Sequence, residues 1–478
     1  MPACQQTLPA IRLAAAVTAT LLLAGCVVGP DYVRPASTLP EHYPTVGTES
    51  RATAPVNPEW WTLFNDATLN QLVDQALAAN QDLQAAVARL EASEAAARAV
   101  GAALYPAVGF EASASRNRIS GETASGKESG SLRYNNRRAA LTLSYEVDLW
   151  GRVQRSNEAA RAEVLSSRFG RDSIRLALIG QVANEYLALR SHDAQLEVTR
   201  QTLESRRESL KIVQARLEAG SASGLELAQA ESALSGAQGQ WSQVKRLRAL
   251  AENQLGLLTG QPGLRIAAAS LEQIPLPPTP PAGLPSSLLA ARPDVRQAEE
   301  NLVAANARIG VAKAAYFPSI GLTGLYGGES VALADLFSGS AGIWSAAIGL
   351  AMPIFNAGKT EAGVDQATAI QQESVATYRK TLQTAFREVS DAIVNLGDYA
   401  DEEAAFAAQV AASRRALDLA QTRYASGYAA YLDVLDSQRT LNAAQLLYLA
   451  SRKNRLSAAV DLFKALGGGW QAPIESAG

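Results

Sequence analysis

Two long stretches of the chain have the spacing of apolar residues that is typical of an amphipathic helix. In the first, from about residue 152 to residue 219, apolar side chains recur at intervals of three, four and seven residues: Ile174, Leu178, Val182, Leu189, Leu196, Leu203 and Leu210. The second, from about residue 361 to residue 426, is equally free of proline. Because an interior proline costs a helix about 3 kcal/mol, both helices can continue for about 65 residues, or about 100 Å. A return helix is predicted after each, over residues 225–258 and 432–466.

Segments before each long helix alternate apolar with polar residues, which predicts β-strands. The alternation covers residues 108–114 and 141–149, and it returns over residues 320–326 and 346–354. Polar, glycine-rich loops are predicted within the two strand pairs, at residues 116–136 and about 327–342. Strands of about ten residues with one apolar face are typical of transmembrane β-sheets, but a soluble antiparallel hairpin has the same pattern. On the polar face, three acidic residues are predicted to line a lumen: Glu111, Glu146 and Asp148.

The chain is predicted to be a tandem duplication. Residues 82–110 align without a gap with residues 294–322, and residues 182–260 align with residues 389–467. The predicted organisation begins with a signal peptide at 1–25 and an acylated N-terminal linker at 26–66. The first repeat, at 67–262, contains a strand pair at 107–149 and a helical hairpin at 152–259. A proline-rich linker at 263–285 leads to the second repeat, at 286–470, with a strand pair at 318–354 and a helical hairpin at 361–466, and a tail follows at 471–478.

Composition narrows the classes of function. A net charge of -3 argues against a nucleic-acid partner, which requires a basic face. The chain has only two histidines and two cysteines. His42 lies in a proline-rich linker, and His192 is a lone histidine on a polar helix face, where solvation is commoner than catalysis. No enzyme site, metal or cofactor is therefore predicted.

The first 26 residues have the pattern of a secretion signal. Arg12 provides a short positive region, and residues 11–23 form an apolar segment that is too short to span a bilayer. The segment ends in Leu-Ala-Gly-Cys at Cys26, which resembles the lipobox of bacterial lipoproteins. That resemblance implies a diacylglycerol and an N-acyl chain on Cys26, and two or more chains anchor a protein stably. An ordinary signal peptide with a chance cysteine is the alternative. Val27, in place of aspartate, favours sorting to the outer membrane.

Four strands that span a membrane must be closed by strands from other chains, because an open sheet edge is not tolerated in hydrocarbon. Two chains would give eight strands, whose side chains fill the interior, whereas three chains give twelve strands and room for an aqueous lumen. The predicted fold is mainly α with a membrane β-barrel. Each protomer contributes four strands and long helical hairpins to a trimeric 12-strand β-barrel, which an α-barrel continues into the periplasm. A cytoplasmic coiled-coil scaffold would share the helices but not the strands.

Three stretches carry a resemblance to a known family: CVVGPDYVRP at residues 26–35, WWTLF at residues 60–64, and RPDVR at residues 292–296 followed by ANARIGVAKAAYFPSIGLTG at residues 305–324. They resemble the TolC-like outer-membrane efflux proteins, in particular the OprM/NodT-like lipoprotein branch. The resemblance implies a homotrimeric, passive exit duct for drugs or other small molecules within a tripartite efflux system. It also implies a periplasmic adaptor (membrane fusion) protein and an inner-membrane pump of the RND type as partners, outer-membrane lipid around the barrel, and no cofactor.

The two hairpin tips have recognisable helix signals. Gly220 and Gly427 are expected to end the long helices in a left-handed conformation. Ser223 and Glu226 have the spacing of a capping box for the first return helix, whereas at the second tip only Asp433 is available for the cap. The residues predicted to contact the adaptor are Gly220, Ser223, Leu225, Glu226, Gly427, Tyr431 and Asp433.

The second tip also resembles the gate motif of the branch, RY-x-x-G followed by YL-x-x-LD-x-QR. The resemblance implies that Leu432 and Asp436 form an apolar and an acidic ring in the trimer, and that Arg423 and Arg439 hold the helices closed. The residues predicted for this gate are Arg423, Tyr424, Leu432, Asp436 and Arg439. Ordinary surface ion pairs along a coiled coil are the alternative.

Two other functions share part of this pattern. The export duct of a type I protein secretion system has the same architecture. A periplasmic helical-hairpin adaptor is also lipidated, but the repeated strand pairs and the second hairpin have no place in it.

Overall fold

The computed structural model describes residues 27–36, 39–40, 58–128, 132–278, 289 and 291–468. Cys26, the signal peptide and the predicted tail therefore lie outside the described residues. The main helices and strands, in chain order, are α1 (Ala67–Ala79), α2 (Gln81–Gly101), β1 (Ala107–Arg118), β2 (Arg133–Val147), α3 (Arg152–Glu218), α4 (Gly224–Leu258), α5 (Pro293–Ala314), β3 (Ser319–Ser330), β4 (Gly342–Ala351), α6 (Lys359–Ala425) and α7 (Tyr431–Ala465). Among the described helices, none combines the length and the apolarity needed to cross a membrane.

Helix lengths agree between the two halves of the chain. The long helices α3 and α6 have 67 residues each, and the return helices α4 and α7 have 35 each. Contacts group the chain into two compact units: Met1–Ala36, Leu90–Ser167 and Ala298–Tyr378 form the first, and Ser37–Arg89, Arg168–Gln297 and Arg379–Gly478 form the second. Each unit therefore takes segments from both halves.

The first unit contains a four-stranded antiparallel sheet in the order β1-β2-β3-β4. Its central pair joins the two halves of the chain, with Val147 of β2 opposite Ile320 of β3. Among the described strands, β1 pairs only with β2 and β4 only with β3, so each leaves one edge without a partner.

Away from the helices, the strands extend further than the sequence predicts. The predicted loop 116–136 begins inside β1 and ends inside β2, where Arg118 still pairs with Arg133. Similarly, the predicted loop at about 327–342 begins inside β3, which continues to Ser330. The ladder of backbone hydrogen bonds continues past the last apolar side chain because it does not depend on side-chain polarity.

At the end next to the helices, the strands are shorter than predicted. Leu149 lies beyond β2, which ends at Val147. Ile354 lies beyond β4, which ends at Ala351. Pro353 follows closely and has no N–H to donate to a ladder.

The core of the second unit forms where α1 packs against the middle of α3 and the ends of the return helices. Trp60 is fully buried and stacks on Phe463 with ring centroids 5.5 Å apart. Leu187 of α3 and Leu255 of α4 are also fully buried in this cluster. Asp66 caps α1 by accepting from the backbone N–H groups of the first turn.

Residues 27–36, which follow the predicted acylation site, are fixed to the first unit. The N–H of Val28 donates to the carbonyl of Trp150, 3.1 Å away, three residues after the end of β2. Gly29 has φ +108° and lies so close to Gly310 of α5 that a Cβ would be 2.5 Å from the Gly310 Cα. A side chain at position 29 is therefore excluded both by the backbone conformation and by space.

An ion pair fixes the far end of the same segment. The guanidinium of Arg34 donates to both carboxylate oxygens of Glu299 on α5, at 2.6 and 3.0 Å. The Tyr32 hydroxyl also donates to Glu299, and burial together with this carboxylate raises the pKa of Tyr32. Bidentate pairs of this kind have a defined geometry, so the segment is held at both ends.

Candidate functional site

The first hairpin tip, between α3 and α4, is closed by backbone hydrogen bonds and a complete cap. Gly220 has φ +72°, and the N–H of Ser221 donates to the carbonyl of Arg216 at 2.7 Å. This geometry belongs to a left-handed helix end. The N–H of Glu226 donates to the Ser223 hydroxyl at 3.3 Å, and the N–H of Ser223 donates to the Glu226 carboxylate at 3.2 Å. Both halves of the predicted capping box are present, and next to them Leu225 is exposed.

The second hairpin tip, between α6 and α7, has the same turn but half of the cap. Gly427 has φ +77°, and the N–H of Tyr428 donates to the carbonyl of Arg423 at 2.8 Å. The N–H of Ala430 donates to the Asp433 carboxylate at 3.1 Å, but the Ala430 side chain has no acceptor for the return bond. The second return helix therefore lacks one of the two capping hydrogen bonds, as the sequence predicts.

Aromatic residues connect the two hairpins near their tips. Tyr431, at the start of α7, is 3% exposed and packs with Val213 of α3 and Ala230 of α4. Its ring lies 5.6 Å from that of Tyr424, and the guanidinium of Arg216 lies over the Tyr424 ring at 4.7 Å. Tyr431 was predicted to contact an adaptor, but a side chain this buried is not available to a partner. We therefore reassign Tyr431 to packing between the hairpins.

The charged residues predicted for the gate lie on the surface of the single chain. Asp436 and Arg439 pair with each other on α7 at 2.6 Å, and their side chains are 61% and 79% exposed. Arg423 donates to the carbonyl of Tyr428 in its own tip at 3.4 Å. Within one chain, both arginines therefore contact their own hairpin rather than a neighbouring one. Leu432 is exposed on the same helix.

Sequence reasoning missed a buried polar contact slightly further from the tips. Arg206 of α3 donates through Nη1 to the side-chain oxygen of Gln438 on α7, and Gln438 donates to Ser205 at 3.1 Å. Burial lowers the pKa of Arg206. A signal for this position exists in the sequence, because Arg206 lies three residues after Leu203 and four before Leu210, on the apolar stripe of the helix.

The sheet has one apolar and one polar face. The apolar face consists of cross-strand rows of neighbouring aromatic and aliphatic side chains. One row has four exposed side chains, Phe110, Leu141, Tyr326 and Trp344, and another has the half-buried Tyr145 and Leu322 beside the exposed Ile348. In a single chain, Phe110, Tyr326 and Trp344 are each more than two-thirds exposed. An apolar surface of this extent marks a contact with lipid or protein.

Two of the three acidic residues predicted to line a lumen have partners at the start of α3. The Glu146 carboxylate accepts two hydrogen bonds from Arg152, at 2.8 and 2.6 Å. Asp148 lies beyond the end of β2, and its carboxylate accepts from the N–H of Gln154 at 2.8 Å. Asp148 therefore caps a helix and does not belong to the polar face of the sheet. Glu111 is exposed on that face.

Within the described ranges, His, Cys, Asp and Glu side chains form no group of three or more that could hold a metal.

Comparison with known proteins gives the family. A model of the family described as outer membrane efflux protein matches residues 72–261 and 284–468, on either side of the proline-rich linker. The chain belongs to the outer membrane efflux protein family. This confirms the resemblance read from the motifs, and with it the mainly helical fold with a short antiparallel sheet. The family is one of transport channels and not of enzymes.

Two relatives match the sequence of this chain along nearly their whole length. The chain is 38% identical over 471 residues to the probable efflux pump outer membrane protein TtgC of Pseudomonas putida, covering 96% of this chain and 95% of the relative. It is 34% identical over 459 residues to the cation efflux system protein CusC of Escherichia coli, covering 94% and 97%. This family member is therefore the outer-membrane component of an efflux system.

Two solved outer membrane channels have the same fold as this chain. The outer membrane channel CmeC of Campylobacter jejuni superposes with a TM-score of 0.86 at 26% identity, covering 93% of this chain and 96% of that one. The open state of the Neisseria gonorrhoeae MtrE outer membrane channel gives a TM-score of 0.82 at 31% identity, covering 93% and 99%.

Proposed function

We propose that three copies of this chain form the passive exit duct of a tripartite efflux system for small organic molecules. One observation carries the proposal: a four-stranded sheet with an apolar face and two edges that have no partner among the described strands. Open edges are not tolerated in hydrocarbon, and four strands cannot close on themselves. If β1 of each protomer pairs with β4 of the next, twelve strands close around a lumen that side chains do not fill.

The same closure gives a role to the helical hairpins. Six hairpins from three chains would form a tube that narrows at the tips, where Leu432 and Asp436 each occur three times. We propose that this second tip is the gate and that Arg423, Tyr424 and Arg439 stabilise its closed form. The half cap at Asp433 supports this assignment, because a less firmly held tip moves at lower cost.

The tips are also the proposed contact for the periplasmic adaptor and, through it, an RND-type pump of the inner membrane. Leu225 is exposed at the end of the first hairpin, beside the capped turn of Gly220, Ser223 and Glu226, and this supports the assignment. An exposed leucine at the start of a helix can pack into an apolar groove of a helical partner. Gly427 and Asp433 form the corresponding surface of the second tip.

The proposed cargo is small organic molecules, since relatives carry the printed names of antibiotic, toluene and solvent efflux proteins. The cation efflux protein CusC makes metal ions a second candidate cargo. Export of proteins by a type I system is the alternative with the same architecture, and a periplasmic adaptor is the alternative from another class.

The test uses the full-length protein extracted from membranes in a nonionic detergent. We expect a trimer that resists heating in blue-native electrophoresis and single-channel conductance in planar bilayers. Deleting the gene should make cells more sensitive to solvents and antibiotics, while secreted proteins stay unchanged. A monomer without conductance would favour the adaptor, and loss of a secreted protein would favour the type I duct.

A further inference from the structure

A cleft of about 980 Å³ opens between the two helical hairpins, in the second unit of the chain. Its walls are α3 and α4 of the first hairpin, α6 and α7 of the second, and residues 265–272, which follow α4. We call it the inter-hairpin cleft. Binding sites for small organic molecules commonly have volumes of about 300–1,000 Å³. The cleft therefore has room for a drug-sized ligand.

One wall of the inter-hairpin cleft is fixed by buried charged residues. The carboxylate of Asp193, on α3, accepts from the guanidinium of Arg248, on α4, at 2.6 Å. The same carboxylate accepts from the N–H of Ala269 at 3.3 Å, and Arg248 donates to the carbonyl of Ile266 at 2.7 Å. These bonds hold residues 265–272 against both helices. The wall is therefore in place before a ligand arrives, which lowers the entropy lost on binding.

Apolar side chains from both hairpins form much of the remaining surface. Leu449 of α7 is 5% exposed. Two half-buried aromatic residues lie on opposite hairpins, Trp241 on α4 and Tyr448 on α7. Large aromatic rings pack favourably against a flat apolar molecule. The cleft can therefore take the hydrophobic body of a ligand.

Three cations at the cleft form no ion pair with any described residue: Lys245, Arg265 and Arg414. All three are exposed. The ammonium of Lys245 lies 5.2 Å from the centre of the Trp241 ring, so one cation is already next to the aromatic surface.

Four carboxylates of described residues also line the cleft, and most of them are already neutralised. Three are paired within the cleft: Asp193 and Glu252 with Arg248, and Glu197 with Arg200. The fourth, Glu272, forms no ion pair with a described residue. Three cations and one carboxylate are therefore left without a charged partner, which gives the cleft an excess of positive charge beside its apolar surface.

We propose that the inter-hairpin cleft binds an amphiphilic organic anion, in which an aromatic or alicyclic body carries a carboxylate or a sulfonate. The body would lie against Trp241 and Tyr448, and the anionic group would reach Lys245 or Arg414. Hydrogen bonds to ionised groups are about twice as strong as those between neutral groups. The inference does not depend on the proposed duct, because residues of one chain form the whole cleft.

A bound anion would connect the two hairpins. Lys245 belongs to α4 of the first hairpin, and Arg414 belongs to α6 of the second. A ligand that contacts both binds the folded arrangement and not the unfolded chain, so it stabilises the protein.

The test measures binding of a dye to the full-length protein in lipid nanodiscs by fluorescence anisotropy, with empty nanodiscs as the reference. The probe is fluorescein, an aromatic dianion at mildly alkaline pH. A rhodamine methyl ester, which has the same three-ring system but a positive charge, is the matched dye.

Lys245→Gln and Arg414→Gln remove one cation each from the cleft. Both side chains are exposed and lack ion pairs with described residues, so both variants should fold. Their matched controls are Arg246→Gln and Arg415→Gln, because these exposed arginines are direct neighbours in the chain that do not line the cleft. Trp241→Ala removes the aromatic contact.

We expect fluorescein to bind at least about tenfold more tightly than the rhodamine ester, and each of Lys245→Gln and Arg414→Gln to bind fluorescein about tenfold more weakly than the unaltered protein. The two control variants should stay within about twofold. Fluorescein should also raise the melting temperature of the unaltered protein, and Arg414→Gln should reduce that rise.

Three results would overturn the proposal: no binding of fluorescein, equal affinity for the two dyes, or equal losses in the control variants. Binding that requires the cations but is unchanged in Trp241→Ala would overturn it too, because the site would then be a simple anion site. A protein that conducts in planar bilayers but does not bind fluorescein removes the cleft site and leaves the duct intact.

Discussion

The guanidinium of Arg439 donates to the Asp436 carboxylate across 2.6 Å, one turn earlier on the same helix. Both side chains are more than half exposed, and no other cation contacts this carboxylate within the described chain. In the proposed trimer each carboxylate of the Asp436 ring therefore has its own cation. The ring is nearly neutral as long as the arginines remain.

Replacing Arg439 by alanine should leave three carboxylates facing one another and favour the open gate. An exposed helical pair contributes about 0.3–0.5 kcal/mol, so three pairs amount to about 0.9–1.5 kcal/mol, or about fivefold to tenfold in the open population. Planar bilayers should record more frequent opening and stronger cation preference. Arg387→Ala is the matched control, because Arg387 forms an exposed pair with Asp391 elsewhere on α6. Identical openings in both variants would exclude Arg439 from the gate.

The buried contact between Arg206 and Gln438 should stabilise the packing of α3 against α7. Gln438→Leu leaves a buried guanidinium without its acceptor, so we expect a loss of about 1–3 kcal/mol in unfolding free energy. Arg206→Met together with Gln438→Leu removes both polar groups and should recover most of that loss. Thermal denaturation of Gln438→Leu, of Arg206→Met alone and of the double variant, each against the unaltered protein, gives the double-mutant cycle. Additive losses would mean that the two side chains act independently.

Cys26→Ala should abolish acylation and leave unprocessed precursor, since the cysteine of the Leu-Ala-Gly-Cys box is the predicted modified residue. Cells are labelled with a clickable fatty acid, and the protein is captured and compared with the unaltered chain. The only other cysteine is Cys4, within the signal peptide, so it does not complicate the mature protein. Equal label in both proteins would refute the anchor.

The orientation of the barrel predicts which end of the protomer reaches the cell surface. A cysteine at Glu122, whose side chain is 91% exposed in the loop between β1 and β2, should react with an impermeant maleimide on intact cells. A cysteine at Ser221, in the first hairpin tip, should react only after the outer membrane is permeabilised. The opposite pattern would place the helices outside the cell.

Glu403 should make the helical part of the protein sensitive to acid. Burial raises the pKa of this carboxyl, but hydrogen bonds from Arg455 and Arg452 outweigh burial and leave the pKa below its usual value. A lowered folded-state pKa gives stability that is complete above the unfolded value of about 4.3 and is lost as the pH falls below it. Glu403→Gln should therefore unfold more easily at pH 7, and its difference from the unaltered protein should shrink below about pH 4.

The control variant is Glu197→Gln. The pKa of Glu197 falls to about 2, because Arg200 donates hydrogen bonds to its carboxylate. Its pair is half exposed, so solvent screens the interaction and Glu197→Gln should change stability little at any pH. If the free energy of unfolding of both variants depends on pH in the same way, the burial of Glu403 does not cause the acid sensitivity.

Local signals explain why the helices were predictable. Proline-free apolar spacing gave both long helices within about two residues of their observed ends, and Gly220 and Gly427 marked those ends by their left-handed backbone. The Ser223 cap was visible as a spacing of side chains. Such signals act over a few residues, so the sequence contains them directly.

Contacts between distant parts of the chain were not predictable in this way. The strands continue into residues that look like loop, because their ends depend on pairing with a partner strand. The burial of Tyr431 depends on Val213, more than 200 residues earlier, and the pairing of Arg206 with Gln438 is equally distant. Periodicity places a side chain on a face but does not identify what covers that face.

The fixed N-terminal segment has a mechanical consequence for the membrane. Only Val27 lies between Cys26 and Val28, and the N–H of Val28 donates to the carbonyl of Trp150. The free tether is therefore two Cα steps, or at most about 7 Å, long. If Cys26 carries acyl chains, each protomer inserts them beside the inner rim of its own strands. Three such short tethers would fix the depth of the barrel in the membrane. A bilayer of different thickness would then have to deform around the channel, because the channel could not slide to follow it.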